Sequence, residues 1–151
     1  PIVVVLDNVR SAHNVGSIFR TSDAFLIEKV MLCGICPTPP KNEIRKTALG
    51  ATESMDWQYF ENSMDCIKTL TQENYHIVSV EQADNSIDLQ NFVIDKSKKL
   101  ALIFGNEVNG VSDECISMSD EVIEIPQHGT KHSFNVSVSA GIVLWDLVKK
   151  L

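Results

Sequence analysis

Short runs of apolar residues alternate along this chain with segments whose apolar positions recur at helical spacing. The first run, residues 2–6, consists only of Ile, Val and Leu, which is typical of a strand buried on both faces. Residues 14–25 follow, and Val15, Ile18 and Phe19 fall on one side of the helix predicted there. Because strand and helix keep alternating to the end, the pattern predicts an α/β fold: a mostly parallel sheet of about six strands with helices on both faces.

The same reading places the remaining elements. Further strands are predicted at residues 29–34, 57–60, 76–80, 100–104 and 121–125, and further helices at 42–49, 63–72, 112–117 and 135–150. Residues 84–99 are polar and charged, so we expect the most mobile surface there. No linker or repeat divides the sequence, which predicts one domain over residues 1–151.

Three clusters of polar residues and glycines stand close to the predicted strand ends. They are Asn14-Val15-Gly16 with Arg20, Gly105-Asn106-Glu107 with Gly110, and Ser133-Phe134-Asn135 with Ser137. In an open α/β sheet, ligands bind at the carboxyl ends of the strands. The three clusters therefore predict one composite site.

Each cluster alone also has a purely structural explanation. Asn14 can cap the first helix, and a helix start with Gly16 and Arg20 nearby suits an anion. The two glycines of the second cluster permit a tight turn after a strand, and Ser133 or Asn135 can cap the last helix. Neither a phosphate P-loop nor a Gly-x-Gly-x-x-Gly fingerprint is present.

The charge distribution limits the kind of partner. A net charge of −7 and a pI near 5.0 argue against a protein that coats nucleic acid through overall charge. All three arginines nevertheless lie in the first third of the chain, together with two nearby lysines: Arg10, Arg20, Lys41, Arg45 and Lys46. This asymmetry favours an anionic ligand near the first cluster.

The four cysteines do not form a metal or disulfide pattern. Only Cys33 and Cys36 are close in sequence, and a structural zinc site needs four ligands, so we expect reduced, buried thiols and no metal. The apolar runs are too short to span a membrane, and no leader precedes them, which predicts a cytoplasmic protein. Because Pro1 is not an initiator Met, the alternative reading is a fragment that lacks an upstream segment.

Read together, the three clusters resemble the three motifs of the SpoU/TrmH family of SPOUT RNA ribose 2′-O-methyltransferases. The first matches Asn14-x-Gly16-x-x-x-Arg20, and the second matches Gly105-x-Glu107-x-x-Gly110. The third runs from Ile125-Pro126 to Ser133-x-Asn135-Val136-Ser137-Val138. Motif order and spacing agree, and the resemblance covers essentially the whole chain.

The resemblance implies a trefoil knot at the carboxyl end, a homodimer, and S-adenosylmethionine as the methyl donor. The implied activity is methylation of a ribose 2′-OH in tRNA or rRNA. By the same resemblance, the loops that hold the cofactor include Gly105, Ile125 and Phe134, with Gln127 and Asn135 nearby. Many relatives also carry an RNA-binding extension before the first strand, and we expect none here.

The resemblance also assigns roles at the site. Arg20 matches the arginine proposed to activate the 2′-OH; because a guanidinium stays protonated, we expect it to bind phosphate and stabilise charge on the oxygen. Asn14, Glu107, Ser133 and Asn135 complete the site, with Glu107 orienting Asn14 or Arg20. The RNA patch is expected to include Arg10, Lys41, Arg45 and Lys46.

Three positions depart from the family pattern. Phe134 stands where relatives usually carry Leu, Gln127 where Met is common, and Asn106 where a small residue such as Ala is usual. These changes can reshape the adenosine pocket. The alternative reading is a non-catalytic RNA- or nucleotide-binding module that keeps the fold, and the intact Arg20 and Glu107 speak against it.

Overall fold

The computed structural model describes residues 1–130 and 134–151, and its centre is a sheet of seven parallel strands. The strands are β1 (Ile2–Asp7), β2 (Lys29–Cys33), β3 (Asp56–Phe60), β4 (Tyr75–Val80), β5 (Ile87–Asp88), β6 (Lys99–Gly105) and β7 (Glu121–Glu124). Their order across the sheet is β3-β2-β1-β6-β4-β7-β5, and every pairing is parallel. The predicted parallel α/β sheet is therefore confirmed, with one strand more than the six expected.

Helices cover both faces of this sheet, because successive side chains of a buried strand point to opposite sides. In β1, Val4 and Leu6 pack into one apolar layer, while Val3 and Val5 pack into the other. The first layer is completed by α1 (Ala12–Ala24), α2 (Asn42–Ala48), α3 (Ala51–Ser54) and α6 (Val136–Lys150), and the second by α4 (Ser63–Gln72) and α5 (Asp113–Met118). Among the described residues, no helix is long and apolar enough to cross a membrane.

One local prediction was wrong, and a second segment proved more structured than its sequence indicated. Helix α1 begins at Ala12 rather than Asn14, because the Ser11 side chain accepts a hydrogen bond from the Asn14 N–H and so caps the helix. Residues 84–99 contain β5, and Leu89 and Phe92 are buried in the first apolar layer; the mobility expected for this segment stays a prediction. Leu89 and Phe92 stand among polar residues in the sequence, so the pattern did not indicate that they are buried.

The predicted trefoil knot stays a prediction, because the third motif that would help form it includes residues outside the described range. What the fold does establish is the position of the strand ends. Residues Asp7 and Gly105 pair across the neighbouring strands β1 and β6, so the loops that follow them leave the sheet side by side. The first and second polar clusters meet at this edge.

Candidate active site

The Glu107 carboxylate ties the second cluster to the start of α1. It accepts hydrogen bonds from the backbone N–H groups of Arg10 and Ser11, both at 2.8 Å, and from Asn14 Nδ2 at 3.0 Å. A carboxylate at a helix start also interacts favourably with the helix dipole. The residue lies more than 90 positions from its three partners, so this contact joins two distant motifs.

These bonds set the charge state of Glu107. Burial tends to raise its pKa, but the hydrogen bonds from Arg10, Asn14 and Ser11 outweigh that effect and hold the pKa below its ordinary value of 4.5. A carboxylate with a lowered pKa and three donors is a poor proton acceptor near neutral pH. The arrangement suits an orienting group rather than a general base.

Asn135 brings in the third cluster. Its Nδ2 donates to Asn14 Oδ1 at 3.2 Å, while its Oδ1 accepts from the Ser137 N–H at 2.9 Å and so caps α6. Asn14 donates to Glu107 through its own Nδ2, which leaves its Oδ1 available as an acceptor. Glu107, Asn14 and Asn135 thus form one hydrogen-bonded chain across the three clusters.

The second cluster forms a closed turn that only glycine permits. Asn106 and Gly110 exchange backbone hydrogen bonds of 3.0 and 2.9 Å, and Asn106 Oδ1 accepts from two N–H groups inside the turn. A Cβ on Gly105 would lie 2.1 Å from the backbone of Gly110, so the turn folds back directly onto the strand. Gly110 has φ of +70°, which a residue with a side chain rarely adopts.

Beside this turn lies a cavity that contains all five residues predicted to bind the cofactor: Gly105, Ile125, Gln127, Phe134 and Asn135. Glu107 also lines it, and the walls are completed by the ends of β4, β6 and β7 and the first turn of α6. Ser133, predicted to join the site, lies outside the described residues.

Two acidic residues at strand ends were missed by the motif reading. Glu81 follows β4 and lines the cavity, and its Oε2 accepts from the Val111 N–H at 2.8 Å. Asp7 ends β1, is buried, and accepts from Ser63 Oγ at 2.5 Å and from the Ser112 N–H at 2.8 Å. Each directly follows a predicted strand, so the strand-end argument used for the three clusters could have found them.

Arg20 lies apart from this cavity within one chain. It is exposed on α1 and lines a separate depression with Lys46, Ser17 and Thr21. The predicted RNA patch continues from there, since Arg45 and Lys46 share a further depression and Lys41 is exposed just before α2. The Arg10 side chain is exposed next to the cavity turn, where its backbone binds Glu107.

Gly16 lies at a close helix crossing. It is buried where α1 crosses α2, and a Cβ there would lie 1.9 Å from Thr47 Oγ1 and 2.3 Å from the Ile44 carbonyl oxygen. Thr47 Oγ1 also donates to the His13 carbonyl at 2.9 Å. The glycine of the first motif therefore lets the helix bearing Lys46 lie directly against the helix bearing Arg20.

The cysteines are buried, as predicted for apolar packing. Cys33, Cys66 and Cys115 lie in the layer under α4 and α5, and Cys36 lies in the layer under α1 and α2. Burial raises the pKa of Cys36 and of Cys115 to about 12 each. Within residues 1–130 and 134–151, no group of His, Cys, Asp and Glu is arranged to hold a metal ion.

Proteins of known structure share this fold. The AdoMet-bound rRNA methyltransferase from Sinorhizobium meliloti aligns with a TM-score of 0.93 at 29% sequence identity, over 99% of this chain and 56% of that one. The fold is thus that of RNA methyltransferases with a parallel α/β sheet. The SpoU rRNA methylase family model matches residues 1–145, and the chain belongs to this family.

Individual relatives match over nearly the whole chain. The tRNA (guanosine(18)-2′-O)-methyltransferase of Borreliella burgdorferi is 28% identical over 99% of this chain and 67% of its own length. The protein of the same name from Aquifex aeolicus is 31% identical over 96% of this chain and 67% of its own. The chain spans about 56 to 67% of the length of these relatives.

Proposed function

We propose that this chain is an S-adenosylmethionine-dependent methyltransferase that acts on the ribose 2′-OH of a nucleotide in tRNA or rRNA. The observation that carries the proposal is the cavity at the carboxyl ends of the strands. All five predicted cofactor residues line it, and the hydrogen-bonded chain Glu107–Asn14–Asn135 adjoins it. The names of the relatives, which are tRNA and rRNA methyltransferases, support the same reaction.

The groups around the cavity fit S-adenosylmethionine. Phe134 and Ile125 offer apolar surface for an adenine ring, and Gln127 offers an amide that can hydrogen-bond it. The carboxylates of Glu81 and Glu124 suit a ligand with positive charge. The cofactor would supply a methyl group activated by a sulfonium, and the protein would supply binding and orientation.

The polar chain would hold the acceptor nucleotide in place. Because Glu107 already receives three donors, its role is to fix the Asn14 amide, which in turn orients Asn135. Arg20 would bind the phosphate next to the acceptor ribose and stabilise negative charge that develops as the 2′-OH loses its proton. Positioning of this kind accounts for much of the acceleration in a displacement reaction.

We further propose that the active unit is a homodimer. Arg20 and the cavity share no lining residue within one chain, so a second copy that brings its own Arg20 to this cavity would complete the site. Helices α1 and α6 present an exposed apolar face for that copy, where the Phe25 and Trp145 rings lie 6.3 Å apart and Trp145 is 60% exposed. Apolar patches of this kind mark protein interfaces.

The test is a methyl-transfer assay with the purified chain, labelled S-adenosylmethionine, and total tRNA or rRNA, followed by mapping of the modified nucleotide. We expect label on one ribose of one RNA class, with calorimetry showing cofactor binding. Cofactor binding without transfer to any RNA would favour the non-catalytic binding module. Absence of cofactor binding would exclude the enzyme.

A further inference from the structure

The cavity is rich in negative charge. Its described lining residues include three carboxylates, Glu81, Glu107 and Glu124, and no lysine or arginine. Glu107 is committed to the start of α1 through three donors, as described above. The other two carboxylates, Glu81 and Glu124, lie outside the three sequence motifs and do not bind the start of α1.

Glu81 is held rigidly at the end of β4. Its Oε2 accepts from the Val111 N–H at 2.8 Å, its Oε1 accepts from the Gln82 N–H at 2.9 Å, and its own N–H donates to the Ile123 carbonyl at 3.0 Å. A Cβ on Gly110 would lie 1.9 Å from Glu81 Oε2, so the glycine turn rests against this carboxylate. The charge is therefore fixed in place and half-buried.

Glu124 supplies a second fixed charge at the end of β7. Its Oε1 accepts from Ser86 Oγ at 2.5 Å, and the residue is half-buried. A serine hydroxyl can donate or accept, so this contact would survive replacement of the carboxylate by an amide. Glu124 thus contributes charge to the cavity without holding the glycine turn.

We infer that Glu81 and Glu124 make the cavity prefer the cationic methyl donor over its neutral product. The inference rests on the proposed function. In the transfer, the bond from sulfur to methyl breaks as the bond from methyl to ribose oxygen forms, and the hydroxyl proton leaves to solvent. S-adenosylmethionine thereby loses one positive charge and becomes the neutral thioether S-adenosylhomocysteine, so fixed carboxylates favour the substrate and assist product release.

Binding measurements on the full chain test this directly. Calorimetry would give the dissociation constants of S-adenosylmethionine and S-adenosylhomocysteine for the wild type, Glu124→Gln and Glu81→Gln. In Glu124→Gln, we expect affinity for S-adenosylmethionine to fall by about 3- to 10-fold while affinity for S-adenosylhomocysteine changes less than about 2-fold. Glu81→Gln should also lower the preference for S-adenosylmethionine over S-adenosylhomocysteine. It should in addition weaken the binding of both ligands, because it disturbs the glycine turn.

The matched control is Glu73→Gln, which removes the same charge from an exposed residue between α4 and β4, at the amino ends of the strands. It should leave both constants unchanged. The preference of the wild type for S-adenosylmethionine should also shrink as salt is raised, because ions screen the carboxylates.

The outcomes are distinguishable. An equal change for both ligands in Glu124→Gln and Glu81→Gln, with the control unchanged, would show a purely structural role and overturn the inference. Failure of the wild type to bind either ligand would instead overturn the proposed function. Glu124→Gln keeps the test decisive if Glu81→Gln fails to fold.

Discussion

Several polar side chains of the candidate site bind the ends of helices. Glu107 binds two N–H groups at the start of α1, and Asn135 caps α6 while also reaching Asn14. The residues that orient the proposed reaction therefore also hold the fold together. Substitution at these positions should affect stability and activity at once.

The pH dependence of stability tests the role of Glu107. Its pKa is below the ordinary value of 4.5 in the folded state, so its bonds stabilise the fold above about pH 4.5 and are lost as pH falls through the lower, folded value. We expect Glu107→Gln to be less stable than wild type near neutral pH, with the difference shrinking as the pH falls below 4.5 and through the lower, folded pKa. Urea unfolding at several pH values measures this.

The exposed residue Glu53 offers a control, since Glu53→Gln should follow the wild-type profile at every pH. A gap between wild type and Glu107→Gln that stays constant from neutral to acidic pH would contradict the assigned ionised role.

Arg20 allows binding and catalysis to be separated. Because Arg20 is assigned to the RNA phosphate and the acceptor oxygen and lines a depression separate from the cavity, Arg20→Ala should slow single-turnover methylation by on the order of 100- to 1,000-fold and leave cofactor binding nearly unchanged. The control is Arg45→Ala, which should weaken RNA binding but retain near-normal turnover when RNA is saturating. Near-normal methylation by Arg20→Ala would remove it from the mechanism.

At the scale of elements, the close crossing of α1 and α2 depends on Gly16. Gly16→Ala would place a Cβ against Thr47 and the Ile44 carbonyl, and we expect it to lower stability by about 1 to 3 kcal/mol. The neighbouring Ser17→Ala, on a half-exposed position of the same helix, should have little effect. Thermal unfolding of both variants measures this. Equal stability of Gly16→Ala and wild type would show that the helix crossing tolerates a Cβ at this position.

The sequence predicted most elements because their patterns are strong. Helix α4 was predicted with the bounds that the structure has, Ser63–Gln72, and the apolar runs located six of the seven strands. Strand β5 was missed because a two-residue strand has no periodicity of its own. Its position depends on the neighbouring strand β7, which lies far along the chain.

The site was predictable only in part, for a similar reason. The three clusters are visible in sequence, but the bonds from Glu107 to residues 10, 11 and 14 depend on β1 and β6 being neighbours. The cap by Ser11 was missed because Asn14 is an equally good capping residue. Glu81 was missed because no motif includes it.

At the scale of the whole molecule, the proposed dimer makes a complementation experiment possible. Arg20→Ala and a cavity-filling variant such as Ile125→Trp should each be inactive alone. If arginine and cavity meet across a two-fold interface, an equal mixture allowed to exchange subunits should recover about a quarter of wild-type activity, because half the dimers then carry one intact site of two. Each variant mixed with itself is the control.

Recovery of activity in the mixture is the result expected if Arg20 of one copy meets the cavity of the other. No recovery in a sample shown by mass spectrometry to contain mixed dimers would place Arg20 and the cavity of the same chain in one site.

The basic patch should control how RNA affinity responds to salt. Neutralising Lys41, Arg45 and Lys46 together should weaken RNA binding and lower the slope of log affinity against log salt by about 2 to 3. The matched control neutralises three exposed lysines elsewhere, Lys68, Lys96 and Lys98. Equal losses in the two triple variants would mean that the patch is misplaced and only net charge matters.

The buried cysteines give the molecule a set of internal reporters. Three thiols lie on one side of the sheet and a single thiol, Cys36, lies on the other. A thiol-specific reagent can reach the first group only when the layer of α4 and α5 opens, and can reach Cys36 only when the loop after β2 or the layer beside it opens. The order in which the four thiols become labelled would therefore show which side of the sheet opens first, with no substitution made in the chain.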